Sequence, residues 1–332
     1  MTSEFSDNPA STPQHSLSFT TLDVFTSTPY TGNPLALVRL PSSLKDVITQ
    51  VQKQSIAKEF NLSETVFLHE SKDPGAACPE WNIDIFTPEE ELPFAGHPTI
   101  GSASYALRLQ DNLREKGKLI TKAGPIPISV QNGQGGGQGW KVQADVPHNT
   151  HLHAYTLGEK MPGKSVVGLS QHPEIRAKEL SAPLFSIVKG MTFLLAQLPS
   201  IELLGKVELS GVSPDFSEVL DKDWSPSFVS RYYYVLLDEG VEANGPVKVR
   251  ARMVEAKMED PATGSAASAL SAYLAGKWGK SCRFEIEQGV EMGRRSEIGV
   301  EVDVDEKEGR KQITDVRLSG CAVVVMEGLL RI

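Results

Sequence analysis

Three side chains that can carry a proton near neutral pH stand beside two similar helix-start motifs. Glu64 lies in "NLSET", His97 follows Gly96 in "FAGHPTIGSASYAL", and Asp260 precedes "PATGSAASALSAYL". Both longer segments, 94–107 and 261–274, run from a small residue through Gly and a polar residue into a helix of Ala, Ser and Leu. Their glycines, Gly96 and Gly264, lie 168 positions apart, about half the chain. A helix start carries unpaired N–H groups and a partial positive charge, so it receives carboxylates and phosphates. Glycine lets those donors approach a ligand closely. Two such starts facing each other across a cleft are expected to hold a small anion between them. Glu64, His97 and Asp260 would surround it and move a proton.

Each of these residues also has a plain structural reading. Asp260 before Pro261 could cap the helix that follows. Glu64 could be a solvated loop acid, His97 a satisfied structural histidine, and Ser63 and Ser265 ordinary turn residues. The residues alone therefore point to proton transfer on a small acid without excluding the bland alternatives.

The elements that must hold these residues are mostly strands. "LSFTTLDVF" and "PLALVRL", then "ETVFL" and "EWNIDIF", alternate or run apolar as strands do. Residues 43–60 space Leu44, Val47, Ile48, Val51 and Ile56 as an amphipathic helix, with Ser43 as its cap. A second helix is expected from about Thr99. Residues 126–146 read as a hairpin around a Gly/Gln turn. That Gly run lacks the helix behind it that a phosphate cradle needs. Residues 148–180 read as a polar surface insertion. Its His148, His151 and His153 have no carboxylate or Cys partner at a helical spacing, so a solvated loop is expected rather than a metal site.

The second half repeats the strand-rich style, from "LFSIVKG" to "CAVVVMEGLLRI". A helix with small residues on all sides is packed on all sides. The pattern predicts barrel-like sheets, each wrapped around one buried helix.

The chain has 332 residues and a net charge of −9, which suggests about two domains. The sequence pI is near 5.4, and nothing basic tracks along it, which argues against a nucleic-acid or anionic-membrane partner. No apolar run approaches the roughly 20 residues of a membrane helix. Cys78, Cys282 and Cys321 are too few and too scattered for a disulfide framework, so a reducing, cytoplasmic location is expected. Residues 1–17 read as a disordered tail.

Together the segments resemble the phenazine-biosynthesis PhzF-like family, which shares the diaminopimelate epimerase fold. "DVFTSTPYTGNPLALV", "NLSETVFL", "LPFAGHPTIGSA", "ARMVEAKMEDPATGSAASALSAYL" and "IEQGVEMGRRS" occur in the family's order from Asp23 onward. The resemblance implies an α+β fold of two pseudo-symmetric domains, each a strand barrel wrapped around a central helix. The domains would span 18–145 and 146–321, with the C-terminal strand, about 322–332, returning to the first. It implies a homodimer that uses neither metal nor organic cofactor. The reaction it implies is isomerisation of trans-2,3-dihydro-3-hydroxyanthranilate or a similar small carboxylate. The general acid/base falls on Glu64, and the substrate-handling pair on His97 and Asp260. Substrate binding falls on Ser63, Gly96, Gly264, Ser265 and, in the opening motif, Asn33.

Related epimerases move a proton between two cysteines placed just before the helix-start glycines. Ala95 and Thr263 occupy those positions here, which argues against a two-thiol racemase. Arg295, where proline is common, and Tyr30, for a frequent Phe, depart from the family pattern. Two further readings stay open: a lyase or dehydratase on the same scaffold, and a catalytically idle small-anion binder.

Overall fold

The computed structural model describes residues 15–109, 113–132, 140–162, 166–237, 245–307 and 309–332. Strands of the first half are β1 (Ser16–Val24), β2 (Asn33–Leu40), β3 (Thr65–His69), β4 (Glu80–Phe86), the two-residue β5 (Glu91–Leu92), β6 (Lys116–Thr121), β7 (Gly124–Asn132) and β8 (Trp140–Asp145). Those of the second are β9 (His151–Leu152), β10 (Leu184–Val188), β11 (Met191–Gln197), β12 (Phe228–Leu236), β13 (Val247–Glu255), β14 (Met258–Asp260), β15 (Cys282–Gln288), β16 (Ser296–Lys307) and β17 (Arg310–Gly320). The last strand, β18 (Ala322–Arg331), pairs with β1.

The internal repeat is exact at the level of strand pairing. One half runs β18-β1-β2-β3-β4-β6-β7-β8, the other β9-β10-β11-β12-β13-β15-β16-β17. In each, only the third and fifth pairings are parallel. Antiparallel pairing of β8 with β17 joins the halves.

The helices are α1 (Gln50–Phe60), α2 (Gly96–Ser104), α3 (Leu157–Lys160), α4 (Pro173–Ser181), α5 (Ile201–Leu204) and α6 (Gly264–Trp278). Every residue of α2 is buried, with strands of the first half around it. Helix α6 is held in the same way by β10, β11, β15, β16 and β17. Ala, Gly and Ser at most positions let those strands approach the helix axis. This is the buried-post arrangement expected from the small-residue pattern.

Some boundaries differ from the sequence reading. The amphipathic segment forms a 3₁₀ turn at Ser42–Leu44, and α1 begins only after Thr49. Thr49 and Gln52 form a reciprocal capping box there, so Thr49 rather than Ser43 is the cap. Helix α2 starts at Gly96, three residues before the expected Thr99. Pro98 fits in its first turn because no intrahelical donor is needed there. Of the expected tail, 1–14 lies outside the described residues, and Ser16 and Leu17 already pair with Arg331 and Leu330. The tip of the 126–146 hairpin, 133–139, also lies outside them.

The largest correction concerns residues 148–180, which are not a surface insertion. Leu157, Val166, Leu169 and Ile175 are buried and cover the outer face of the β11–β12 pair. Alternation along β12 sends Tyr232 and Tyr234 to the α6 side and Tyr233 and Val235 outward to this second layer. The run "RYYYV" is therefore buried on both faces. Inside the layer, Arg231 pairs with Glu179, both at 1% exposure or less, and Tyr233 donates to the same carboxylate.

Candidate active site

The proton carriers come from three element ends. Asn61, in the left-handed region at φ 50°, ends α1 and turns the chain so that Glu64 arrives just before β3. His97 is the second residue of α2, and Asp260 is the last residue of β14, four positions before α6. Asn33 opens β2. The turn before it is fastened by the second half: Arg294 donates to the carbonyls of Gly32 and Thr31 and to Asp23 Oδ1.

These residues meet. Asn33 Nδ2 donates to Asp260 Oδ1 at 2.8 Å and to the Ala262 carbonyl at 2.9 Å. Both its hydrogens are then spent, so the 3.5 Å approach of Nδ2 to His97 Nδ1 is a contact and not a third bond. His97 Nδ1 instead faces Glu64 Oε2, at 3.5 Å. His97 Nε2 is buried without a hydrogen-bond partner among the described residues.

Burial sets the charge states. It pushes the Glu64 carboxyl from 4.5 up to about 7, opposed by the Ser63 hydroxyl. Asp260 rises for the same reason to about 6, held back mainly by His97, Thr263 and Asn33. His97 falls to about 4 because its cation would be desolvated, despite the nearby Asp260 charge. Near neutrality the site holds a half-protonated Glu64, an ionised Asp260 and a neutral imidazole. Two neighbouring carboxyls both raised toward the working pH, beside a neutral imidazole, are suited to acid/base chemistry.

The helix starts do not face each other across open space. A methyl built on Gly96 would lie 2.9 Å from Gly264 Cα, and one on Gly264 would lie 3.1 Å from Gly96 Cα and 2.7 Å from Leu318 Cδ2. The glycines abut, so an anion would be received beside this contact rather than between the two ends. Thr263, the N-cap of α6, makes no side-chain capping bond, and its hydroxyl donates to Asp260 Oδ2 at 2.5 Å. Asp260 is therefore no helix cap. Ser63 touches Glu64, whereas no hydrogen bond among the described residues ties Ser265 to the cluster. Cys78 lies at the other end of β3, by His69, on the wall of a cavity of about 410 Å³.

Sequence reasoning placed Thr263 in the Thr-Gly-Ser turn that walls the site but missed Gln288 as part of this cluster. Gln288 Nε2 donates to the Asp260 carbonyl and to Thr263 Oγ1. The only sequence signal for it was its place in "IEQGVEMGRRS". The departures are peripheral: Arg295 is 59% exposed and pairs with Glu287 and Glu297, and Tyr30 is 74% exposed.

The histidine segment also differs from the expectation of a solvated loop. His153 is 5% exposed, and His151 lies 2.6 Å from Asp221 Oδ2, 70 residues away. One ligand atom from each of His151, His153 and Asp221 falls within 4.8 Å of the others. However, His153 Nδ1 already accepts the Asp221 backbone N–H at 3.0 Å. A metal there would have to displace that bond.

Comparison with known proteins agrees with the fold. The chain is 34% identical to an uncharacterised isomerase from Mesorhizobium japonicum, over 93% of this chain and 96% of that one. It is 30% identical to trans-2,3-dihydro-3-hydroxyanthranilate isomerase from Pseudomonas chlororaphis, over 93% and 97%. A Bacillus anthracis phenazine biosynthesis protein of the PhzF family shares the fold, with a TM-score of 0.70, 24% identity, and coverage of 96% of this chain and 100% of that one. The profile of the PhzC-PhzF family, phenazine biosynthesis-like proteins, matches residues 22–328, and the chain belongs to that family.

Proposed function

We propose that this protein is an isomerase that moves a proton between two carbons of a small unsaturated carboxylic acid, trans-2,3-dihydro-3-hydroxyanthranilate or a close analogue. The observation that carries this reading is the meeting of Glu64, 17% exposed and 3.5 Å from the His97 ring, with the Asn33–Asp260 pair, where burial pushes the Glu64 carboxyl up to about 7. Ionised Glu64 takes a proton from one carbon, and the electron pair left behind spreads into the adjacent unsaturation. The carboxyl then returns the proton to a second carbon. No atom is lost and no oxidant or cofactor is needed. His97 and Asp260 position and polarise the substrate, while Ser63, Ser265, Asn33 and the N–H groups at Gly96 and Gly264 bind it. Donors fixed before the reaction stabilise the charge that builds up.

The same reading takes 18–145 with the C-terminal strand, and 146–321, as the two domains that meet at the site. It also takes the protein to be a cytoplasmic homodimer, which sedimentation at micromolar concentration would check. The test of function is incubation with trans-2,3-dihydro-3-hydroxyanthranilate in D2O, followed by NMR and mass spectrometry, with Glu64→Gln in parallel. Isomerisation with ring deuterium incorporation by the wild type alone is expected. A product lighter by one water would replace the isomerase with a dehydratase. Tight binding without exchange would leave an anion binder.

A further inference from the structure

We propose that Gln288 is a positioning residue for the proton transfer: it fixes the direction of the Thr263 hydroxyl and so keeps Asp260 a hydrogen-bond acceptor while Glu64 carries the mobile proton. The proposal rests on the isomerase reading above.

Gln288 ends β15, is 0% exposed, and has four partners. Its Oε1 accepts from the Tyr232 hydroxyl at 3.0 Å and from the Thr263 backbone N–H at 3.3 Å. Its Nε2 donates to the Asp260 carbonyl at 2.8 Å and to Thr263 Oγ1 at 3.0 Å. The reversed amide would set hydrogens against the Thr263 N–H and an oxygen against the Asp260 carbonyl. Only one orientation is satisfied.

That orientation has a consequence one bond further on. Thr263 Oγ1 receives a hydrogen from Gln288, so its own hydrogen goes to Asp260 Oδ2, 2.5 Å away. On the other side Asn33 gives one hydrogen to Asp260 Oδ1 and the other to Ala262. Both carboxylate oxygens of Asp260 thus face fixed donors, which favours its charged form. The remaining groups around it are neutral His97 and Glu64, and the Tyr232 hydroxyl points to Gln288 instead. Among the described residues Glu64 has the Ser63 hydroxyl and an imidazole nitrogen at 3.5 Å. A proton entering the site therefore settles on Glu64. The asymmetry between two neighbouring, partly buried carboxyls traces back to an amide that touches neither the reacting atoms nor Glu64.

The test is a ¹³C-NMR titration of labelled Asp and Glu carboxyls, which needs no turnover. Glu64→Gln and Asp260→Asn assign the two resonances. Thr263→Val keeps the shape and removes the hydroxyl, Thr263→Ser restores it, and Gln288→Leu removes the amide. In Thr263→Val and Gln288→Leu the Asp260 titration is expected to move up by about one pH unit, and Thr263→Ser returns it to the wild-type position. With a substrate that turns over, kcat follows the same order while KM changes less than twofold. An unmoved Asp260 titration in folded Thr263→Val overturns the proposal, even if Gln288→Leu fails to fold. Absence of turnover in the wild type would count against the isomerase reading alone, because the titration stands without it.

Discussion

Of the clusters that set an imidazole against a carboxylate, those around Asp221 and Glu64 differ in how much hydrogen-bonding capacity is already spent; a third, His69 on Asp84, is tied to Lys53. Around Asp221 the carboxylate and both ring nitrogens of the buried His153 are paired. His151 bonds its carboxylate and stacks on Trp224 at 4.5 Å with the rings 5° from parallel. His153 takes the Asp221 amide on Nδ1 and reaches Ser186 with Nε2 at 2.9 Å. The chain continues through Thr192 and Ser227 and ends where Ser227 donates to the Phe228 carbonyl. Every hydroxyl hydrogen therefore points away from His153, which is a neutral Nε2–H tautomer. Around Glu64 more capacity is unspent: His97 Nε2 has no partner among the described residues, and burial pushes the Glu64 carboxyl up to about 7. Residue types alone do not distinguish the two clusters. Unspent capacity beside a carboxyl whose proton is easily moved is what favours the Glu64 cluster as the candidate active site.

The largest expected effect tests that contrast directly. Glu64→Gln should lower kcat for proton transfer by about 10³-fold, whereas His151→Ala should change it less than about twofold. Comparable losses in both variants would dissolve the distinction. Gly264→Ala comes next. Its methyl would press on Leu318 and on Gly96, so the helix starts must separate; kcat/KM should fall about tenfold and stability by about 1–3 kcal/mol. Calorimetry beside kinetics would show whether the loss follows the site or only the fold.

A subtler effect lies in pH. Glu64 has a folded pKa raised from 4.5 to about 7. Its protonated form is favoured in the folded state, so its stabilisation is complete below 4.5 and is lost as pH rises through 7. Glu64→Gln removes that loss. Relative to wild type, the variant should gain on the order of 2–3 kcal/mol of stability between pH 4.5 and 8. Melting curves that run parallel across that range would show that Glu64 is not buried as described. In activity, kcat/KM should climb as pH rises through about 6 and 7, where Asp260 and Glu64 lose their protons as a coupled pair. The smallest effect is expected at the second cluster. His151→Ala should cost about 1 kcal/mol, and added Zn²⁺ should not raise the melting temperature. A zinc-dependent rise lost in His151→Ala would turn this strap into a metal site.

Much of the site was legible before folding because its parts are local. Glu64, His97 and Asp260 sit beside turns that only a few sequences tolerate, and Gly96 and Gly264 repeat across half the chain. Asn33 was placed by resemblance alone, and the structure brings it to Asp260 from 227 residues away. What escaped notice was the polarity of the site. Gln288 reads as any strand-end glutamine until β15 lies next to β13 and the loop before α6. The apolar residues of 148–180 are spaced irregularly, so no periodicity betrayed that they cover the β11–β12 face.

The sequence by itself determined a strand-rich, twice-repeated chain with two buried small-residue helices, the titratable His97 and Asp260 at or just before their starts, and Glu64 ahead of a strand. Those features depend on side-chain size, glycine freedom and periodicity, which act over a few residues. Only the tertiary structure decided that the two glycines touch, that Asp260 stays the acceptor, and that His151 and His153 are already satisfied by Asp221. Those outcomes depend on which donor meets which acceptor across 25 to 227 residues of chain, and on how much water is excluded when they meet.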